Sequence, residues 1–176
     1  MAKTTWAIDP THSEIGFKVK HMMFTNVSGK FNRFQAHVEN EDNNFETSKI
    51  SFSAEVDSVD TNNSDRDNHL RSADFFDADI FPKISFTSTE IKKINEALFE
   101  ITGDLTVKNV TKSVVLETEY SGLMTDPWGN TKSGLSITGK IDRKEFGLTW
   151  NAALETGGVL VGEEIKLISE IQLIKQ

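Results

Sequence analysis

The chain has no cysteine among its 176 residues, which excludes disulfide frameworks, thiolate metal sites and thiol nucleophiles. It is short of aromatics with a polar handle: one tyrosine and three tryptophans stand against twelve phenylalanines. Phenylalanine brings no polar group and goes where none is wanted. No apolar run approaches the ~20 residues of a transmembrane helix. The N-terminal stretch MAKTTWAIDP lacks the apolar segment of a signal peptide, so a cytoplasmic location is expected. Positive charge is also short. Nineteen Lys and Arg against 27 Asp and Glu give a net charge of −8. That argues against binding nucleic acid through its phosphates and against electrostatic adhesion to anionic membranes.

Motifs of catalysis are equally scarce. The four histidines, His12, His21, His37 and His69, form no HxH or HxxxH pair, so no metal site is expected. There is no G-x-S-x-G elbow, and Gly157-Gly158 to Gly162 is not followed by the Lys-Ser/Thr of a phosphate loop. The chain is expected to be no enzyme and to need no cofactor.

What is present is alternation. Apolar residues make up 37% of the chain and charged residues 26%, as in a globular protein, and the length suits one domain over residues 1–176. Thr4 to Ile8 is extended and ends at Asp9-Pro10. Glu14 to Met23 places Ile15, Phe17, Val19 and His21 on one face. Ser28 to Glu39 changes apolar parity between Phe31 and Phe34, which predicts a bulge near Asn32-Arg33. The run 40–44 reads as a polar loop. Further strands follow over 49–57, 83–94, 97–108 (interrupted by Gly103), 113–124, 133–143 and 164–175, with a strong turn at Asp126-Pro127-Trp128-Gly129-Asn130. Eight or nine strands without intervening long helices make an all-β protein, a sandwich or a barrel. An eight-stranded barrel is just wide enough for packed side chains or one small ligand.

One stretch departs from this pattern. Over residues 64–77 the chain reads as a short helix, with Ser64 as N-cap and Asp65 and Asp67 in the first turn. Arg66 and His69 share one flank. Phe75, Phe76, Ile80 and Phe81 follow, and Pro82 ends the segment. Either it is a lid over an opening, or its phenylalanines complete the core. Two polar residues break the alternation: His21 and Arg143 both fall on apolar faces. A buried arginine requires a carboxylate (Asp74, Asp77 and Asp104 are candidates) or an anionic ligand at a wet mouth.

The motifs W-A-I-D-P-T-H-S from Trp6, F-x-V-x-H from Phe17 and V-S-G-x-F from Val27 resemble the opening of the YceI-like family. R-D-N-H-L-R-S-A-D-F-F-D from Arg66, F-P-K-I-S-F from Phe81 and G-D-L-T-V-K-N-V-T-K from Gly103 continue the resemblance. I-D-R-K-E-F-G from Ile141 and V-G-E-E-I from Val161 complete it. Asn109 stands where the family usually has glycine. The resemblance implies an eight-stranded antiparallel lipocalin-like barrel holding a polyisoprenoid, such as a polyprenyl diphosphate or an isoprenoid quinone. It also implies a homodimer.

On that reading the lumen is lined by Phe17, Val19, Phe31, Phe34, Phe52, Phe86, Leu105 and Phe146, with Phe75 and Phe76 over the mouth. His21, Arg66, His69 and Arg143 would meet a head group. Each buried methylene contributes about 0.8 kcal/mol, so a long chain needs few polar contacts. Three alternatives compete. One is a membrane β-barrel, disfavoured by the single tyrosine and the charged outer faces. Another is a lipid-modifying enzyme using His21 or His69. The last is a stress-associated structural barrel with a filled lumen and no ligand.

Overall fold

The computed structural model describes residues 2–152 and 160–176. Its elements are β1 (Lys3–Ile8), β2 (Glu14–His21), β3 (Thr25–Phe31), β4 (Phe34–Glu41), β5 (Asn44–Glu55), β6 (Val59–Asp60), α1 (Ser64–Arg71), β7 (Lys83–Lys93), β8 (Leu98–Val107), β9 (Val110–Thr125), β10 (Thr131–Asp142) and β11 (Val161–Lys175). Eight of these, β1, β4, β5, β7, β8, β9, β10 and β11, pair antiparallel in that order, and β1 closes the ring on β11. The closed eight-stranded antiparallel barrel stands as expected, with extra strands and one helix.

The extra strands make one end taller. β2 continues the line of β1 beyond a 3₁₀ turn at Pro10–His12 and pairs with the first half of β11. β3 pairs with β2, and the short β6 carries the line of β5 onto β3. The expected single strand over 28–39 is therefore two strands, and the parity change at Asn32-Arg33 is a break rather than a bulge. Ser58 spans it: its carbonyl accepts from Asn32 N at 3.1 Å and its Oγ from Arg33 N at 3.0 Å. The polar run at 40–44 shrinks to a two-residue turn, Asp42-Asn43, because Phe45 is pulled inside β5.

Three tight hairpin turns place consecutive residues at positive φ: Met22-Met23 (52° and 63°), Asp42-Asn43 (51° and 61°) and Lys108-Asn109 (51° and 63°). Asn tolerates this region better than other non-glycine residues, so Asn109 serves the turn where the family usually has glycine.

The turn between β9 and β10 is held by one carboxylate. Asp126 Oδ1 accepts from Trp128 N and Asn130 N, both at 2.9 Å, and Lys132 Nζ lies 3.1 Å from Oδ2. These donors, the Asn130 amide first, hold the Asp126 carboxyl at about 2 against an ordinary value of 3.8. A carboxyl depressed on folding adds stability above its unfolded value and loses it as pH falls through the folded one. Wild type is therefore expected to lose stability relative to Asp126→Asn between about pH 4 and about pH 2. Urea midpoints for the pair across that window check it.

The end of the barrel opposite the tall rim is solid. Trp6, Phe45 and Phe99 are buried there. Phe45 stacks on Tyr120 at 4.6 Å between centroids and meets Phe99 edge-on at 5.0 Å. Trp6 Nε1 donates to Asn40 Oδ1 at 3.2 Å, and Asn40 in turn donates to Ser48 Oγ, so the indole N–H of this floor is satisfied. Outward positions are charged along much of the wall, as with Glu117 and Glu119 on β9 and Lys166 and Glu170 on β11. That is the inverse of a membrane barrel, whose lipid face is apolar. No helix among the described residues is long and apolar enough to cross a membrane.

Candidate functional site: a blind apolar lumen with a polar mouth

Above the aromatic floor the barrel encloses a cavity of about 690 Å³. Its wall is almost wholly aliphatic and aromatic. Of the expected liners, Phe17, Val19, Phe31, Phe52, Phe86 and Leu105 face it, and Phe75 and Phe76 face it from beside the helix. Two expectations are corrected. Phe34 shares the inward parity of Ala36 but sits beside the break at Asn32-Arg33, and it borders an outer groove with Arg33 and Lys83 instead. Phe146 is 1% exposed, locked in a 3₁₀ turn (Arg143–Phe146) that packs against β9, and is core rather than lining.

Twelve phenylalanines could have filled so small a bore. Three inward glycines stop them. A Cβ on Gly29 would lie 2.3 Å from the Phe17 ring, one on Gly103 2.4 Å from the Phe86 ring, and one on Gly139 2.6 Å from Leu116. Each glycine lets a large neighbour lie flat against the wall instead of projecting across the lumen. Gly103 therefore does not interrupt β8; it makes room within it.

The segment after β6 forms the lid. The N-cap of α1 is Asn63, not Ser64: Asn63 Oδ1 accepts from Arg66 N at 3.0 Å. The buried Asp67 carboxylate accepts from Thr61 N at 2.8 Å and from the Thr61 hydroxyl, pinning the helix start to the strand before it. Leu70, Phe75 and Phe76 then turn toward the lumen, so the lid and core readings of this stretch are both realised. Trp150 lies 5.4 Å from Phe75 between ring centroids and closes the other side.

Apart from Ser169 on β11, the polar side chains of the described lining collect at this mouth. Lys20, His21, Arg66, His69 and Arg143 border it, with Asp65 as a carboxylate. Arg143 meets neither an aspartate nor open water. It is 2% exposed, and Nε donates to Gly162 O at 2.7 Å, Nη1 to Leu148 O and Trp150 O at 2.6 and 2.9 Å, and Nη2 to Val161 O at 3.3 Å. At least four of its N–H donors thus tie the 143–150 segment to the start of β11. Burial lowers its pKa, opposed by nearby Glu163 and Asp142. The expected partners Asp74, Asp77 and Asp104 play no part. His69 Nε2 lies 2.9 Å from an Asp74 oxygen, and its ring meets Trp150 edge-on at 4.6 Å. Arg66 points Nε and one Nη at Thr61, at 2.8 and 2.7 Å. His21 ends β2 opposite Val161, half-buried.

Leu70, Leu148, Trp150 and Leu160 also line the cavity and were missed from sequence. Leu148, Trp150 and Leu160 lie outside the strands, where no periodicity marks an inward face. The glycine pair Gly157-Gly158 lies outside the described residues.

A closed antiparallel barrel with an apolar, one-ended lumen is the architecture of a binding protein. The chain belongs to the YceI-like family, whose domain matches residues 6–173. It is 38% identical over 164 residues, 93% of each chain, to a UPF0312 protein of Staphylococcus aureus. The crystal structure of the YceI protein of Campylobacter jejuni superposes with a TM-score of 0.76 at 32% identity, covering 89% of this chain and 90% of that one. At 10% identity, a polyisoprenoid binding domain from Saccharophagus degradans shares the fold with a TM-score of 0.74, over 97% of this chain and 98% of that one.

Proposed function

We propose that the protein binds a long apolar ligand, a polyisoprenoid, tail first in the lumen, with an anionic or carbonyl head group at the mouth. The observation that carries this is the polarity gradient of the site: an aliphatic bore, blind at its aromatic floor, with basic groups only at its rim. At water's share of about 30 Å³ per small group, the 690 Å³ cavity takes roughly twenty carbons, about four prenyl units. Their burial at about 0.8 kcal/mol per methylene gives ample affinity without directional contacts. The polyisoprenoid binding domain that shares this fold suits the same use of the lumen. Binding without turnover is the reading the site favours. Its His69–Asp74 pair is wedged against Trp150 and fastens the lid, and the neighbouring Ser72 hydroxyl bonds the main chain of both residues, donating to His69 O at 2.6 Å and accepting from Asp74 N at 3.3 Å, rather than their side chains.

Arg66 carries the head-group role better than Arg143, whose donors are engaged by main-chain carbonyls. Charge-assisted hydrogen bonds contribute about 1.5–3 kcal/mol. Arg66→Gln is therefore expected to weaken a prenyl diphosphate about tenfold to a hundredfold, and a prenyl alcohol of equal length less than about twofold. Parallel titrations of the two ligands check this. Equal losses for both would remove Arg66 from the head-group site.

A further inference from the structure

The tip of the β2–β3 hairpin is built against its own turn chemistry. Its two left-handed positions carry Met22 and Met23, whereas the chain's other two such turns carry Asp42-Asn43 and Lys108-Asn109. Unbranched apolar residues gain nothing at positive φ that Asn or Gly would not provide at lower cost. Nor are they buried in compensation: Met22 is 45%, Met23 60% and Phe24 84% exposed. Three adjacent large apolar side chains thus project from one loop tip. The tip is anchored, since Met22 N donates to Leu160 O at 2.8 Å, and both Leu160 and the neighbouring His21 line the cavity mouth.

Below the tip, the outer wall carries like charges in register. Lys18 on β2 stands directly opposite Lys166 on β11, which stands opposite Lys140 on β10. Directly opposed like charges weaken a sheet. Lys20 and Lys30 flank this row on the same outward face, both exposed, with Asp60 directly opposite Lys30. Of the nearby carboxylates, Glu164 reaches Lys140 at 3.4 Å and Glu163 reaches Lys144 at 2.7 Å. A basic strip crowned by an oily tip, in a chain of net charge −8, needs a partner that is anionic at its surface and apolar beneath.

We propose that this corner docks on an anionic lipid bilayer, with Met22, Met23 and Phe24 entering the headgroup boundary and the lysine row facing lipid phosphates. Resting on the cargo reading above, this places the mouth where a prenyl chain can pass between bilayer and lumen. The contact is peripheral. The net charge opposes approach only at long range, while the lysines act within a Debye length, about 8–10 Å.

Flotation of the full chain with vesicles tests it, using phosphatidylcholine alone and phosphatidylcholine doped with phosphatidylglycerol. The protein is expected to float with the phosphatidylglycerol vesicles, less with the neutral ones, and progressively less as salt rises. Met23→Ser with Phe24→Ser is expected to cut the partition about tenfold or more. Lys18→Gln with Lys166→Gln is expected to cut it about twenty-five-fold at low salt, since each lysine near the surface counts for about fivefold. All four side chains are exposed, and circular dichroism checks that the fold is kept. No flotation by wild type, or flotation of both variants equal to wild type, would overturn the proposal. So would a tip variant that turns a wild-type dimer into a monomer, since a second copy would then cover the tip. A prenyl alcohol titration without vesicles separates the two readings. Flotation lost with that titration intact sinks docking alone, whereas flotation retained with no uptake of the alcohol upholds docking and sinks the cargo reading.

Discussion

Ala36→Trp is expected to abolish binding of a prenyl chain while leaving the barrel folded. Ala36 faces the lumen from β4, between Phe34 at the break and the buried Val38. An indole there enters the cavity rather than packed atoms, so it meets none of the resistance that overpacking a solid core provokes. It takes the place of about five methylenes of ligand, at about 0.8 kcal/mol each. The loss of about 4 kcal/mol corresponds to roughly a thousandfold in affinity. A fluorescent prenyl probe reads the loss, and a thermal melt of the same variant, equal to or above wild type, shows that the lumen rather than the fold has changed. A variant that still binds within tenfold of wild type would mean that the ligand lies elsewhere.

The second large effect is on stability. Arg143→Ala removes the donors to the carbonyls of Gly162, Leu148, Trp150 and Val161, of which Val161 O keeps Asn151 Nδ2 at 2.8 Å. Each buried carbonyl left without a donor costs about 1–3 kcal/mol. The sum, about 4 kcal/mol or more, lowers Tm by about 10 °C. Arg143→Lys should rescue little of this, because an ammonium cannot fork across four carbonyls on two segments. Urea unfolding of wild type and both variants checks the ranking. If Arg143→Lys matched wild type, the guanidinium geometry would not matter.

Strand alternation made the barrel legible because each strand has one oily face and one charged face. The lumen-facing phenylalanines on the strands could be read from parity alone. Parity failed where the chain leaves the sheet. Phe146 lies in a 3₁₀ turn, where alternation says nothing about direction, and Trp150 lies in an irregular segment. Phe34 shows a second limit: parity tells which face a residue takes but not how far along the axis the cavity extends. Arg143 was rightly singled out as costly to bury, yet a carboxylate was sought when main-chain carbonyls of a neighbouring turn provide the partners. A single sequence holds no signal for that contact, which depends on how two irregular segments meet. The glycines were the legible clue left unread. Gly29, Gly103 and Gly139 all fall at inward positions on strands, where a missing side chain marks the close approach of something large. Met22 and Met23 likewise read as the end of a strand, when their place was a tight turn that favours Asn or Gly.

The central claim is that the lumen is used to hold an oily molecule. Native mass spectrometry of the protein purified without detergent from its own host tests this most directly. The expected result is a bound species of prenyl-lipid mass that is retained by wild type and absent from Ala36→Trp purified in parallel. Wild type flying only at its bare polypeptide mass, in the same instrument conditions that retain an added prenyl diphosphate, would contradict it.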